Sequence, residues 1–412
     1  MDSVLGLIGL GIVIIVTYLI GFKFPNLKVI IWVASIIRII SVLIHEYIVK
    51  LPDGTKDAIR FEASVWKYSQ LPFIDFLYSF NSVSKAYTFT WFLSFFYRIF
   101  GRSTLLLESV HIIIGLACIL LVYKLSWLLS GSALKSKQSA VIFAFYPTII
   151  LYSVIILREV YIVFFILLIS LFIVKWLKSN KIKFALVSLL LFVPLYFLHG
   201  GLLVGAVMVF IILSYFSLKN IYNSFKNNHL LIPQLVFVFF ALCVVIIMAI
   251  KLSTLNIPYF GSANQILTLS RIFFQAEVTN LGGSAYPGWL IPFSLSSFIL
   301  LIIPRLIYFL FSPFLWDIKA INHLLGFVDA FLVLLLFYFI IKGLVVKKQN
   351  KTVTILCIFL LPLLITYSWG VGNFGTALRH RSKFIPVLIA ISTIYVPKIT
   401  LRRNLKVYKP DE

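Results

Sequence analysis

Residues 4–22 read VLGLIGLGIVIIVTYLIGF, an apolar run from Val4 to Phe22 without a single charged side chain. About twenty such residues, coiled as an α-helix, match the roughly 30 Å hydrocarbon thickness of a bilayer. The run has neither a basic leading region nor a small-residue cleavage site, so it reads as a retained helix. The same pattern recurs. Further apolar stretches run about 29–48, 104–130, 139–156, 160–176, 184–198, 200–217, 231–251, 289–312, 324–342, 353–369 and 384–397. They lack the alternating ten-residue pattern of a membrane barrel, so helices are the expected spanning elements. The expectation is an all-α polytopic membrane protein with about 11–13 transmembrane helices.

The whole composition agrees. The chain is 61% hydrophobic and 12% charged, with a mean hydropathy of +1.06, more apolar than a water-soluble core requires. The net charge of +23 comes from Lys and Arg dispersed in short loops rather than massed in one basic domain. It points to membrane orientation, and no nucleic-acid partner is expected. Cys118, Cys243 and Cys357 are widely spaced inside apolar runs, which suits neither a disulfide framework nor a zinc site. No nucleotide-binding glycine loop or metal-ligand spacing occurs. No cofactor is expected, and a divalent metal is not indicated.

Positive charge orients the threading. Lys135/Lys137, Lys175/Lys178/Lys181/Lys183, Lys219/Lys226, Lys347/Lys348/Lys351 and Lys398/Arg402/Arg403/Lys406/Lys409 mark cytoplasmic segments by the positive-inside rule. Residues 49–102, 157–159, 199, 252–288 and 370–383 then fall outside, within a single integral domain covering 1–412. This requires that 289–312, with Pro292, Pro304, Arg305 and Pro313, form a broken or re-entrant helix. Nine of the 13 acids, Glu46, Asp53, Asp57, Glu62, Asp75, Glu108, Glu159, Glu277 and Asp317, lie on or near the outer side. The orientation rule acts on Lys and Arg rather than on acids, so this bias points either to a polar outer site or merely to short inner loops.

Three outer segments carry the candidate chemistry. In LPDGTKDAIRFEASVWKYSQLPFIDF (51–76), a Pro52-Asp53-Gly54 turn precedes Ala58, Phe61, Val65 and Tyr68 at helical spacing, the signature of an interfacial amphipathic helix. Asp57, at its start, could cap the helix or take a proton. Arg60 and Glu62 could join a site or form a solvated pair. In FYPTIILYSVIILREVYIVFF (145–165), Arg158 and Glu159 fall between two apolar runs. In YSWGVGNFGTALRHRSKFIP (367–386), Gly370, Gly372 and Gly375 flank Asn373 and precede Arg379, His380, Arg381 and Lys383. Glycines permit close backbone approach, and guanidinium forks match phosphate oxygens. General attraction to anionic lipid headgroups is the plainer alternative. His199 sits in the tight turn YFLHGGL, while Arg38 and Asp329 lie within spans, where a charge is functional or is satisfied by a structural partner.

The acidic first loop with Asp57, Arg60, Phe61 and Glu62, the following FYRIFGRSTLLLESV, and the Pro147, Ser153, Arg158, Glu159 run resemble the GT-C superfamily of polytopic glycosyltransferases over about 49–176. NFGTALRHR is similar to the final outer loop of bacterial O-antigen polymerases. Two features depart from the GT-C pattern: an extra N-terminal span, and no large soluble C-terminal domain. The resemblance implies transfer from a polyprenyl-(pyro)phosphate-linked sugar or glycan to a glycan or lipid-linked acceptor. That chemistry would occur on the extracytoplasmic side of a bacterial inner membrane, in cell-envelope polysaccharide assembly. It implies Asp57, with Asp53 second, as proton acceptor, and Arg158, Glu159, Arg379, His380 and Arg381 around the phosphate. Arg60, Glu62, His199 and Asn373 are further candidates. A repeat-unit polymerase is an alternative within this class. A lipid-linked oligosaccharide flippase or transporter is an alternative outside it, although no internal repeat is visible.

Overall fold

The computed structural model describes residues 2–83, 85–226, 270–280, 282–320, 323–346 and 350–397, with a few isolated positions between 227 and 269. The helices are α1 (Asp2–Lys23), α2 (Lys28–Tyr47), α3 (Lys56–Ser69), α4 (Phe73–Ser79), α5 (Thr88–Phe100), α6 (Thr104–Ser130), α7 (Ala133–Ala144), α8 (Pro147–Tyr152) and α9 (Glu159–Ser179). There follow α10 (Ile182–Leu190), α11 (Phe192–Leu198), α12 (Leu203–Lys226), α13 (Ser270–Val278), α14 (Leu295–Phe311), α15 (His323–Val346), α16 (Lys351–Trp369), α17 (Phe374–Arg381) and α18 (Ile385–Tyr395). Asn256–Ile257 pairs antiparallel with Gly261–Ser262. The expected span 231–251, the cysteine at 243, part of the 252–288 loop and the cationic tail from Lys398 lie largely or wholly outside the described residues.

Seven helices among the described residues are long and apolar enough to cross a membrane, and shorter apolar helices cover Ile182–Leu198, Leu295–Phe311 and Ile385–Tyr395. The flanking helices leave Leu7, Ile15, Leu300, Phe331 and Ile341 exposed, the side chains that lipid rather than water must cover. At the centre α6 packs against α1, α7 and α9. Close approach of α1 depends on small residues: a Cβ at Gly6 would stand 2.7 Å from Leu105, and one at Gly9 would stand 2.8 Å from Ser109 Oγ. Absent a hydrophobic drive between helices in lipid, such contacts are what dispersion needs.

Three expectations change in detail. The run 139–156 is not one span, because the chain breaks between α7 and α8 at Tyr146, whose ψ of 120° is extended. Proline at 147 forces this on its predecessor and then starts the next helix. The 184–198 run is likewise divided into α10 and α11. Conversely, α14 runs on through Pro304 instead of breaking there, and begins at a Ser294–Ser297 capping box. Buried Arg305 holds its surroundings, donating to the carbonyls of Leu290, Ser368 and Val371 at 2.9, 3.1 and 2.6 Å while stacking over Trp369.

The amphipathic helix α3 buries Ala58, Phe61, Glu62, Val65 and Ser69. It lies on α5 through edge-on contacts of Phe61 with Tyr87 and Phe89, so this loop helix is part of the packed body. The two ends of α9 differ in character. Glu159 begins it, whereas Lys175 and Lys178 end it beside Lys181 and Lys183, where Asn180 accepts a 2.9 Å hydrogen bond from Asn220. Twenty-one residues separate these ends by roughly 30 Å.

Candidate functional site

Helix α17 explains how the basic cluster is used. Successive helical residues are rotated by about 100°, so Arg379, His380 and Arg381 project in three directions. Arg379 donates through Nε to Glu159 at 2.8 Å and through Nη1 to Asp57 at 2.6 Å. It thereby joins two acids that are distant in sequence. Burial opposes the Arg379 charge, but Glu159 and Asp57 outweigh it and push the pKa up. Glu159 is fully buried at the start of α9, where the helix N-terminus favours a carboxylate. Lys383 Nζ approaches it to 3.8 Å.

Asp57 lies in the first turn of α3, but the capping position is Thr55 and has no side-chain cap bond. The side chain of Asp57 is 46% exposed and reaches Arg379 instead. Asp53 holds a left-handed φ of 59° in the preceding turn, a conformation Asp tolerates better than most residues. Its carboxylate tip reaches inward to accept from the buried Tyr152 hydroxyl at 2.8 Å. Loss of water there raises its pKa, while Tyr152 and Arg379 oppose the rise and Glu159 and Asp57 reinforce it.

Beside this acid–guanidinium junction is a cavity of about 420 Å3 whose lining includes Arg158, His199, Tyr367, Trp369, Thr376 and His380. Arg158 Nη1 donates to the Leu198 carbonyl at 3.0 Å, but its Nε is buried without a protein partner. An unsatisfied buried donor costs about 1–3 kcal/mol, a cost that a ligand acceptor can remove. His199 Nδ1 is 2.9 Å from the Tyr367 hydroxyl, and its ring lies 5.5 Å from that of His380. Burial, followed by the nearby cations Lys383, Arg158 and Arg379, pulls the His199 pKa well below its ordinary range. Burial does the same to His380, reinforced by Lys383, His199, Arg379 and Arg158. Burial likewise lowers Lys383, against the pull of Glu159. The cavity thus pairs fixed positive charge with neutral rings and aromatic walls, a combination suited to an anionic ligand with an apolar portion.

Several candidate residues have other work. Arg381 is turned to the opposite side of α17, where it pairs with fully buried Asp329 at 2.5 Å. It also donates to the carbonyls of Ser312, Gly326 and Leu310 at 2.6, 3.0 and 3.2 Å. The structure does not bring it to the cavity. Glu62 accepts two hydrogen bonds from Arg102 and one from Tyr97, while Arg60 stays exposed. Asn373 caps α17 through the Thr376 amide at 2.8 Å. Gly372 makes room for protein instead of ligand, since a Cβ there would lie 2.6 Å from the Thr279–Asn280 backbone. Arg38, fully buried, donates to Ser153 Oγ and to the carbonyls of Ala34 and Ala144. Sequence reasoning missed Tyr152, Tyr367 and the role of Lys383. Only Lys383 carried a signal, lying four residues after Arg379 and hence on the same face of a continued helical turn.

Among the described residues, His45, Glu46 and Glu108 are grouped closely enough to suggest a metal site. The hydrogen bonding argues otherwise. His45 Nδ1 accepts the Leu51 amide at 2.9 Å, which places the proton of a neutral ring on Nε2, the nitrogen facing the two carboxylates at 3.7 and 3.9 Å. Nε2 then has no lone pair for a metal, and the cluster serves to tie the end of α2 to α6.

The apolar helices and the buried polar junction at one end of them define an all-α polytopic membrane protein. Comparison of the chain with protein-family models, with curated proteins and with solved structures finds no match in any of the three.

At the Arg379 junction, Arg379→Lys keeps a cation but cannot hold both Glu159 and Asp57 in the planar fork geometry. One charge-assisted bond should be lost, worth about 1.5–3 kcal/mol. Thermal unfolding of the purified variant in detergent should show this loss, and unchanged stability would mean that the bridge contributes nothing.

Proposed function

We propose that the protein is a membrane glycosyltransferase of the GT-C kind. It would move a sugar or glycan from a polyprenyl phosphate or pyrophosphate to a glycan or lipid-linked acceptor, on the extracytoplasmic face, in envelope polysaccharide assembly. The observation that carries this reading is Arg158: it lines a cavity with a buried, unpartnered Nε, directly beside the junction where Asp57, Glu159 and Arg379 meet. In this scheme Arg158 meets the phosphate, whose charge grows as the anomeric bond breaks. Asp53 accepts the proton of the acceptor hydroxyl, since its raised pKa makes it a better base than an ordinary Asp. Arg379 fixes Asp57 beside it. The lysine-rich end of α9 lies a full span away from the site, which supports an outward-facing site under the positive-inside rule.

Sidedness and chemistry are tested separately. A cysteine placed at exposed Gln70 should react with an impermeant thiol reagent in intact cells, and one at exposed Asn180 should not. The reverse pattern would put the site on the cytoplasmic face. Lipid-linked glycans of a deletion strain test the reaction. A missing sugar marks a single-sugar transferase, and accumulated single repeat units mark a polymerase. An unchanged profile would refute the reading, and complete glycans trapped on the inner leaflet would indicate a flippase instead.

A further inference from the structure

We propose that Lys383 donates a hydrogen bond to His380 Nδ1 and so holds this imidazole as its Nε2–H tautomer, a neutral donor to an oxygen of an anionic ligand in the cavity. The ligand half of this inference rests on the reading that the cavity receives a phosphate. Lys383 Nζ stands 2.6 Å from His380 Nδ1, and both residues approach each other across the end of α17. An ammonium has three donors and no acceptor. Glu159 Oε1 at 3.8 Å on one side and the Tyr367 ring 5.0 Å beneath it favour the charged head group against its burial, and in that form it can only donate. Nδ1 therefore accepts, and the ring proton resides on Nε2. His380 lines the cavity together with Arg158, His199 and Thr376.

The groups packed around the ring explain why it stays neutral. Lys383 and Arg379 flank it in sequence, Arg158 approaches from the start of α9, and His199 from the turn before α12. Tyr367 presents its ring from α16 at 5.2 Å. Glu159 is the nearby acid, and Arg379 already binds it. A further positive charge on His380 would be repelled by three cations in a buried setting, whereas a neutral N–H adds a directed donor without that repulsion. Lys383 is then a positioning residue, acting on the ligand through His380. It also explains why a buried lysine lies where no part of it reaches the cavity surface.

The test is nitrogen NMR of the full-length protein, purified in detergent with 15N-labelled histidine, the His380 signals being those lost in His380→Gln. The expected spectrum shows a protonated Nε2 and an unprotonated Nδ1, unchanged across the neutral pH range. In Lys383→Met a fraction of the Nδ1–H form should appear, while Lys383→Gln, which retains an N–H donor, should keep the wild-type tautomer. Wild-type His380 found as the Nδ1–H form or as an imidazolium would overturn the inference, as would a Lys383→Met spectrum identical to wild type. If Lys383→Met does not fold, the wild-type spectrum and Lys383→Gln decide. Adding a short-chain isoprenyl monophosphate should then move the Nε2 signal. The expected tautomer with no response to this probe would overturn the ligand role and count against the phosphate reading, leaving the Lys383–His380 bond intact.

Discussion

Asp53→Asn is expected to lower sugar transfer by about 10²–10⁴-fold, the range typical of losing a general base, while leaving the protein inserted and folded. The amide is nearly isosteric, tolerates the left-handed φ of this position, and can still accept from Tyr152. It cannot take a proton near neutrality. The pH profile provides a check with a defined sign. In the proposed reaction the working base is the ionised carboxylate, so activity falls as pH drops through its pKa, and loss of water around the carboxylate places that limb higher than for a free aspartate. The Tyr152 hydrogen bond holds the pKa down against this, so Tyr152→Phe should move the acid limb to higher pH. Asp57 pushes the pKa up, and the residual activity of Asp57→Asn should show a limb moved to lower pH. An Asp53→Asn variant with wild-type transfer would move the proposed base role to Asp57.

Arg381→Met is expected to be the most damaging single change to stability. It leaves the Asp329 carboxyl without its guanidinium partner at 0% exposure, with Thr148 Oγ1 still at 2.6 Å. It also strips donors from the carbonyls of Ser312, Gly326 and Leu310. Removing one partner of a buried ion pair costs about 3–5 kcal/mol. Adding Asp329→Leu to Arg381→Met should recover part of that loss, because the stranded buried carboxyl disappears. Thermal unfolding of the detergent-purified proteins, followed by loss of the monodisperse peak, measures both effects. Since Arg381 does not line the cavity, the folded fraction of the single variant should bind an isoprenyl phosphate as wild type does. Equal stability of the single and wild-type proteins, or a selective loss of phosphate binding, would return Arg381 to the site.

These two cases mark what the sequence made legible. Long apolar runs such as 4–22 and 104–130 announce their helices because hydropathy and length are local properties. The break at Tyr146-Pro147 is also local, but the uninterrupted apolar character of the surrounding run conceals it. Asp53, Asp57, Arg158, Glu159 and Arg379 could each be singled out as charges on one side of the threading; Asp53, Asp57, Glu159 and Arg379 meet at one end of the bundle, and Arg158 lines the cavity beside them. What could not be read was their partnership. Three consecutive basic residues look like one clamp until helical rotation sends Arg379 to Glu159, His380 to the cavity and Arg381 to Asp329. Tyr152 and Tyr367 were invisible for a different reason: among so many aromatic residues, nothing local distinguishes a tyrosine that binds a site acid from one that anchors a span.

We propose that the cavity beside the Arg379 junction carries out transfer from a polyprenyl-phosphate donor. The most direct test is reconstitution of the purified protein in lipid vesicles with membrane extract enriched in polyprenyl-linked glycans, followed by mass spectrometry of the lipid products. The expected result is time-dependent release of polyprenyl phosphate or pyrophosphate together with an extended acceptor glycan, both abolished in the Asp53→Asn/Asp57→Asn double variant and strongly reduced in Arg158→Met. Carrier release that continues at the wild-type rate in the double variant, or extract glycans left intact by the folded wild-type protein, would contradict it.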